Sequence, residues 1–203
     1  MLSHLIESLM GLSGWEVLAA LLGVGYILFA SRESQWCWPL AFISTLIYTF
    51  LFWEGQLPMQ AILNFYYMGM AIYGFLLWHQ HKQAESRLPI HLWRWQYHLI
   101  FLVTGTGLTL LLGNYLHEHQ TSQAPYLDAG ITVFSVMNTW LMARKVLHNW
   151  LYWVVIDFSA MLLYIQTGFT ATAALFGLYT VLAIAGLLNW FKRYRQQALP
   201  LTN

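Results

Sequence analysis

Seven apolar stretches separated by short polar punctuation succeed one another along the chain, over residues 15–30, 37–53, 59–78, 96–112, 125–143, 149–166 and 172–191. A hydrocarbon core about 30 Å thick needs about 20 mostly apolar residues per spanning helix. Each stretch therefore predicts a transmembrane helix, the shorter ones extended into the interface by aromatic and polar ends. Gly14, Gly55, Pro58, Pro89, Gly113, Pro125 and Gly168 mark the breaks. Only His4 and Glu7 are ionisable before the first stretch, and neither gives the basic leader of a secretory signal, so a permanent helix is expected there.

Composition supports a chain built for lipid. Of 203 residues, 59% are hydrophobic and 8% charged, against roughly 25% charged in soluble domains. Disordered, collagen-like and disulfide-scaffold classes are excluded. The single cysteine, Cys37, permits neither an intramolecular bridge nor a CxxC motif. A net charge of +1 offers no basic field, so nucleic acid is not an expected partner. The cations also order the helices. Arg32 follows the first; Lys82, Arg87 and Arg94 follow the third; Arg144 and Lys145 follow the fifth; Lys192, Arg193 and Arg195 follow the seventh. All nine fall on one side, so the positive-inside rule predicts an outer N-terminus and a cytoplasmic C-terminus.

A sparse internal repeat runs through the two ends of the chain. Trp38, Tyr67, Gly74 and Trp78 recur 112 positions later as Trp150, Tyr179, Gly186 and Trp190. Two consecutive three-helix units would lie inverted, whereas one intervening helix makes them parallel. The expected fold is an all-α integral membrane bundle of seven transmembrane helices in a 3+1+3 parallel-repeat plan, the SWEET-like arrangement. It forms a single membrane domain over 1–203, with units at 15–78 and 125–191 joined by a linker helix at 96–112. In such a plan the substrate sits near the midplane between the units.

Ionisable residues inside a bilayer are costly and point to a cavity or a partner. Asp157 lies eight positions into the sixth helix, about 12 Å along its axis, with no Lys or Arg in a span to neutralise it. Trp150, Trp153 and Asp157 follow i, i+3, i+7 spacing on one face, with Tyr164 further along it. Indole faces and a carboxylate together suit a flat cation. The alternative is that the tryptophans anchor the helix at the interface and Asp157 bonds a neighbouring helix. Gln60, Asn64 and Tyr67 form a second polar face on the third helix, as solute ligands or as interhelical glue. Asn138 and Asn189 are weaker candidates, and Asp128 also suits a helix N-terminus. The pairs His79 with His81 and His117 with His119 are expected in loops, without a third fixed ligand, so no metal is expected. No GxxxxGK, HExxH or GxSxG motif occurs, which argues against an ATP-driven pump within this chain and offers no enzyme signature. No cofactor is implied.

The segment Ala143-Arg144-Lys145 followed by Asn149-Trp150-Leu151-Tyr152-Trp153-Val154-Val155-Ile156-Asp157 resembles the PnuC family of vitamin transporters before and through its WxxWxxxN/D motif. Tyr126-Leu127-Asp128-Ala129 resembles the segment opening the same region, and Ile72-Tyr73-Gly74-Phe75 with Trp78 resembles the family's YGW-type helix, with Phe75 in place of Trp. The likeness covers about residues 15–192. It implies facilitated diffusion of nicotinamide riboside, thiamine or a related vitamin across the bacterial inner membrane. Intracellular phosphorylation by a kinase then traps the product, the kinase being a functional partner rather than necessarily a bound one. Carried over by position, Trp150, Trp153 and Asp157 line the substrate site, with Gln60 and Asn64 as additions. The resemblance also leaves room for a homo-oligomer, such as a trimer. Both vitamins carry a positive ring, so Asp157 does not choose between them; thiamine is the alternative to nicotinamide riboside. Two other classes remain to be weighed: a membrane enzyme pairing Asp157 with a loop histidine, which the helix rise keeps apart, and a binding subunit served by a separate ATPase.

Overall fold

The first helix starts where Ser13 and Glu16 close a reciprocal cap: Glu16 N donates to Ser13 Oγ at 3.2 Å and Ser13 N donates to Glu16 Oε2 at 2.6 Å. The computed structural model describes residues 13–55, 58–83, 88–119 and 122–198. Among them run α1 (Gly14–Ser31), α2 (Cys37–Glu54), α3 (Pro58–Gln83), α4 (Trp95–Glu118), α5 (Pro125–Ala143), α6 (Asn149–Gln166) and α7 (Thr170–Ala198), with no strand beyond an isolated bridge between His91 and Val146. Pro125 occupies the first turn of α5, where its missing N–H costs nothing. Gly168 takes a φ of +83° in the turn between α6 and α7, a conformation that favours glycine.

Three helices run past their apolar cores. The third reaches Gln83, the fourth Glu118 and the seventh Ala198, so His79, His81 and His117 are helical and His119 caps α4, rather than lying in loops. Polar residues at a membrane edge lower hydropathy without interrupting backbone hydrogen bonding. Gly113 does not break α4 either. It lies inside the helix, where a Cβ would collide with the Tyr126 ring of α5, so the glycine permits close packing. Among the described residues no group of three His, Cys, Asp or Glu could hold a metal.

Five helices are long and apolar enough to cross a membrane by length and composition alone: α1, α2, α3, α4 and α7. α5 and α6, at 19 and 18 residues, fall below that hydropathy because they carry Asp128, Asn138, Asn149 and Asp157. Three of those polar side chains, Asn138, Asn149 and Asp157, are buried, so α5 and α6 are the inward-facing helices of the bundle.

Helix bounds recur at a constant offset. Adding 112 to the starts of α2 and α3 gives the starts of α6 and α7, and adding it to the ends of α1 and α2 gives those of α5 and α6. Packing follows the same grouping: α1 on α2 and α2 on α3, then α5 on α6 and α6 on α7, with α1 against α7 and α3 against α5 between the groups. α4 lies along α5 and reaches α6 through Phe101, whose ring centroid is 4.6 Å from that of Tyr152.

The repeated aromatics explain the offset. Trp38 meets Trp78 edge-on at 5.4 Å and 85°, and Trp150 meets Trp190 at 5.5 Å and 82°. A Cβ on Gly74 would overlap the Trp38 ring, and one on Gly186 the Trp150 ring. Trp78 Nε1 donates to Ala143 O at 2.9 Å, while Trp190 Nε1 donates to Ala30 O at 3.0 Å, so each group ties itself to the other. The linkers match too. Glu33 and Lys145, 112 apart, are the non-glycine residues with left-handed backbone, at φ 56° and 55°. They pair with each other: Lys145 Nζ reaches Glu33 Oε2 at 2.7 Å, with Arg193 Nη1 at 3.2 Å from Glu33 Oε1. A cavity of about 250 Å³ opens beside this cluster.

Gly186→Ala should lower the thermal midpoint of the purified protein, because an added methyl forces a fully buried indole aside at about 1–3 kcal/mol; an unchanged midpoint would show that Trp150 is not held there. A second expectation concerns His148, between α5 and α6. Burial, and then the His98 imidazole with its ring centroid 4.4 Å away, push its pKa below the usual histidine range. The unfolded chain takes up a proton below about pH 6.5 while the folded site resists it, so the protein should lose stability as pH falls through that value. His148→Gln should flatten this fall in melting curves taken from about pH 7.5 to 5.5, and an equal fall in both proteins would refute the assignment.

Candidate functional site

Asp157 sits in the middle of α6 with 5% of its surface exposed. Helical spacing puts it on the stripe of Trp150 and Trp153, yet the stripe changes character along its length. Trp150 is 1% exposed and locked between Gly186 and Trp190, so its ring belongs to the packed core at the cation-rich end. Trp153, one turn further in, is half-buried against that core. Asp157, a further turn in, leaves the indoles behind.

Three phenols share its part of the bundle instead. Tyr26 of α1, Tyr67 of α3 and Tyr179 of α7 all lie within electrostatic range of the Asp157 carboxylate. The Tyr67 hydroxyl meets Ser135 of α5. The Tyr179 hydroxyl presses on the backbone of α1, 2.6 Å from where a Cβ on Gly23 would stand. Ser44 closes the neighbourhood by donating to Ala19 O at 2.8 Å. The site thus draws side chains from α1, α3, α5, α6 and α7.

Electrostatics give this arrangement its chemical meaning. A carboxylate taken out of water costs several kcal/mol unless a cation or hydrogen bonds compensate it. Among the described residues no Lys, Arg or His forms an ion pair with Asp157; the ion pairs there converge on Glu33 at the end of the bundle. Phenol hydroxyls donate to carboxylates, and phenol rings attract cations. Among the described residues no group of three His, Cys, Asp or Glu stands here that could hold a metal. A carboxylate among phenols can bind a cation or accept hydrogen bonds.

The other anticipated residues lie in different settings. Gln60 is exposed at the start of α3, and Asn64 turns its amide back onto that helix, Nδ2 donating to Gln60 O at 2.9 Å. Tyr67, from the same face, does come within electrostatic range of Asp157. Asn138 is fully buried and donates from Nδ2 to Asn149 O at 2.9 Å, pinning α5 to α6 nearer the cation-rich end. Asn189 is exposed on α7, Asp128 is half-buried in the first turn of α5, and Tyr164 stacks on Phe176 at 5.3 Å. Tyr26 and Tyr179 were not anticipated as site residues. The 112-residue offset carries the signal for Tyr179, since it is the counterpart of Tyr67. Nothing local marks Tyr26, which meets Asp157 only through the packing of α1.

Known proteins bear on this geometry. The chain is 24% identical to the nicotinamide riboside transporter PnuC of Escherichia coli, covering 92% of this chain and 88% of that one. It is 23% identical to the riboflavin/roseoflavin transporter RibM of Streptomyces davaonensis over the same shares. The fold matches the crystal structure of the vitamin B3 transporter PnuC with a TM-score of 0.75 at 20% identity, covering 97% of this chain and 91% of that one. These relatives are transporters rather than enzymes, in keeping with a bundle in which five helices are long and apolar enough to cross a membrane. Residues 13–192 match the family described as nicotinamide mononucleotide transporter, and the chain belongs to that family of membrane transporters.

Proposed function

We propose that this protein is an inner-membrane permease for a cationic vitamin, nicotinamide riboside in the first place and thiamine in the second. The observation that carries the reading is Asp157, a buried carboxylate without a cationic partner among the described residues, facing Tyr26, Tyr67 and Tyr179. A guest with a positive ring supplies the missing charge. The relatives alone do not choose the substrate, because one is named for nicotinamide riboside and another, equally distant, for riboflavin. Charge separates them: riboflavin is neutral and can offer a lone buried carboxylate hydrogen bonds but no compensating charge.

Transport in this reading is facilitated diffusion. Residues 15–78 and 125–191 act as parallel three-helix units, 96–112 as the linker, and the units rock around a midplane site between them. Supporting this are the constant 112-residue offset of the helix bounds and the contacts of α1 with α7 and α3 with α5. The orientation has the C-terminus in the cytoplasm. In its favour, Glu33, Lys145 and Arg193 meet in space, which puts the ends of α1, α5 and α7 on one face. Net flux needs only the vitamin gradient and later phosphorylation by a cytoplasmic kinase.

The test is a titration of purified protein with nicotinamide riboside, thiamine and riboflavin, with counterflow in vesicles lacking ATP. Nicotinamide riboside should bind best and exchange without ATP; riboflavin binding most tightly would overturn the proposal. Asp157→Asn should weaken the cationic vitamins by about 1.5–3 kcal/mol, the worth of a hydrogen bond to a charged group, and leave a neutral analogue nearly unchanged. Equal losses for charged and neutral ligands would remove Asp157 from the recognition of charge. Trp153→Ala should cost about 1–2 kcal/mol if the ring stacks on the cation, and an unchanged isotherm would return Trp153 to the packing of α6.

A further inference from the structure

A second cavity, of about 440 Å³, lies away from Asp157, where α4 begins and α5 ends. Its wall includes His91, Trp93, Arg94, Tyr97, Trp140 and Arg144. Both arginines are exposed, and among the described residues neither forms an ion pair, unlike Lys145 and Arg193. The Arg144 guanidinium lies 5.1 Å from the Trp140 ring centroid, and Trp93 stands 6.3 Å from Trp140 and 5.8 Å from Tyr97. The floor is fixed by backbone pairing: His91 N donates to Lys145 O at 3.2 Å and Leu147 N to His91 O at 2.9 Å. Two cations therefore overhang a preformed aromatic pocket at the level where Trp and Tyr gather in membrane proteins.

What lies below the pocket narrows its ligand. From Tyr97 the face of α4 continues through Ile100, Leu108 and Leu111, which are 62%, 45% and 69% exposed. A charged recess at the interface runs directly into an apolar track inside the membrane. We propose that this pocket binds the phosphate headgroup of an anionic phospholipid, with Arg94 and Arg144 holding the phosphate and the acyl chains lying along α4. Guanidinium groups suit phosphate oxygens, and a headgroup without its own cation leaves both arginines satisfied. A choline headgroup brings a positive charge against them. Neither Asp157 nor Tyr26, Tyr67 or Tyr179 lines the pocket, so lipid binding does not depend on the transport reading.

Native mass spectrometry of the full chain, with phosphatidylglycerol and phosphatidylcholine offered in equal amounts, tests the proposal. Wild type should retain phosphatidylglycerol roughly tenfold over phosphatidylcholine, as two juxtamembrane cations acting on one phosphate would give. The R94Q/R144Q double variant should bring that ratio close to unity. Both side chains are exposed, and melting curves in detergent would verify that the variant folds. R195Q, which removes an arginine outside the pocket, should leave the ratio unchanged. Equal retention of both lipids by wild type would overturn the proposal, and so would a loss in R195Q as large as in the double variant. Free glycerol phosphate is the third arm. If it bound as tightly as the lipid and depended on the same two arginines, the pocket would be a site for a soluble phosphate and the lipid assignment would fail.

Discussion

Two indoles seated on two glycines set the distance between helices in this bundle. Inside a bilayer, apolar surface gains little by leaving lipid for protein, so helices associate through close packing and interhelical hydrogen bonds. Gly74 lets Trp38 lie flush against α3, and Gly186 lets Trp150 lie flush against α7. That seating brings Trp78 and Trp190 to the interface between the two helix groups, their ring centroids 6.4 Å apart. Each then donates its N–H to a carbonyl in the last turn of a helix in the opposite group, Ala143 of α5 or Ala30 of α1. Last-turn carbonyls lack an i+4 donor; the Trp78 indole supplies one to Ala143 O, and the Trp190 indole adds a second to Ala30 O, which also accepts from Glu33 N at 2.9 Å. Packing within each group and bonding between groups are thus one device, used twice.

Against this near-symmetric frame, the candidate site departs from symmetry. Tyr67 and Tyr179 are counterparts, and so are the residues their hydroxyls approach, Ser135 and Gly23. Asp157 has no acidic counterpart. The position 112 residues earlier is Thr45, whose hydroxyl donates to Ala41 O of its own helix at 2.8 Å and so satisfies itself locally. In the proposed transport reading, a guest between the groups would meet similar phenols from both and a carboxylate from one. The repeat then supplies matched phenols, and a single unmatched side chain supplies the charge.

How much of this was legible follows from which contacts are local. Helix number follows from hydropathy, which senses lipid directly. Helix ends at Gln83 and Glu118 do not, because an interfacial turn stays helical while its side chains become polar. The stripe of Trp150, Trp153 and Asp157 is readable from 3.6-residue spacing, but spacing does not tell which part of a stripe packs into the aromatic core and which stands among the tyrosines. Gly186 decides that for Trp150, and it lies on another helix. Glu33 and Lys145 were readable in principle: they are opposite charges at the repeat offset, in linkers of equal length. Tyr26 was not, since its counterpart is Asn138 and only the packing of α1 brings it to Asp157.

The same offset bears on how the proposed rocking would proceed. Equivalent residues touch each other only near the axis that relates two repeats, so the Glu33–Lys145 pair marks that axis at the cation-rich end. For parallel repeats that axis runs along the membrane normal, whereas rocking that opens one end tilts the units about a line in the membrane plane. Opening at the cation-rich end therefore has to part both Lys145 and Arg193 from Glu33. Arg193 is 43% exposed and readily hydrated, so its bond loosens at little cost. Lys145 and Glu33 are 8% and 12% exposed, and separating them is costly unless water or another partner takes their place. In the proposed cycle the buried pair is thus the latch of this end, and the exposed arginine only reinforces it.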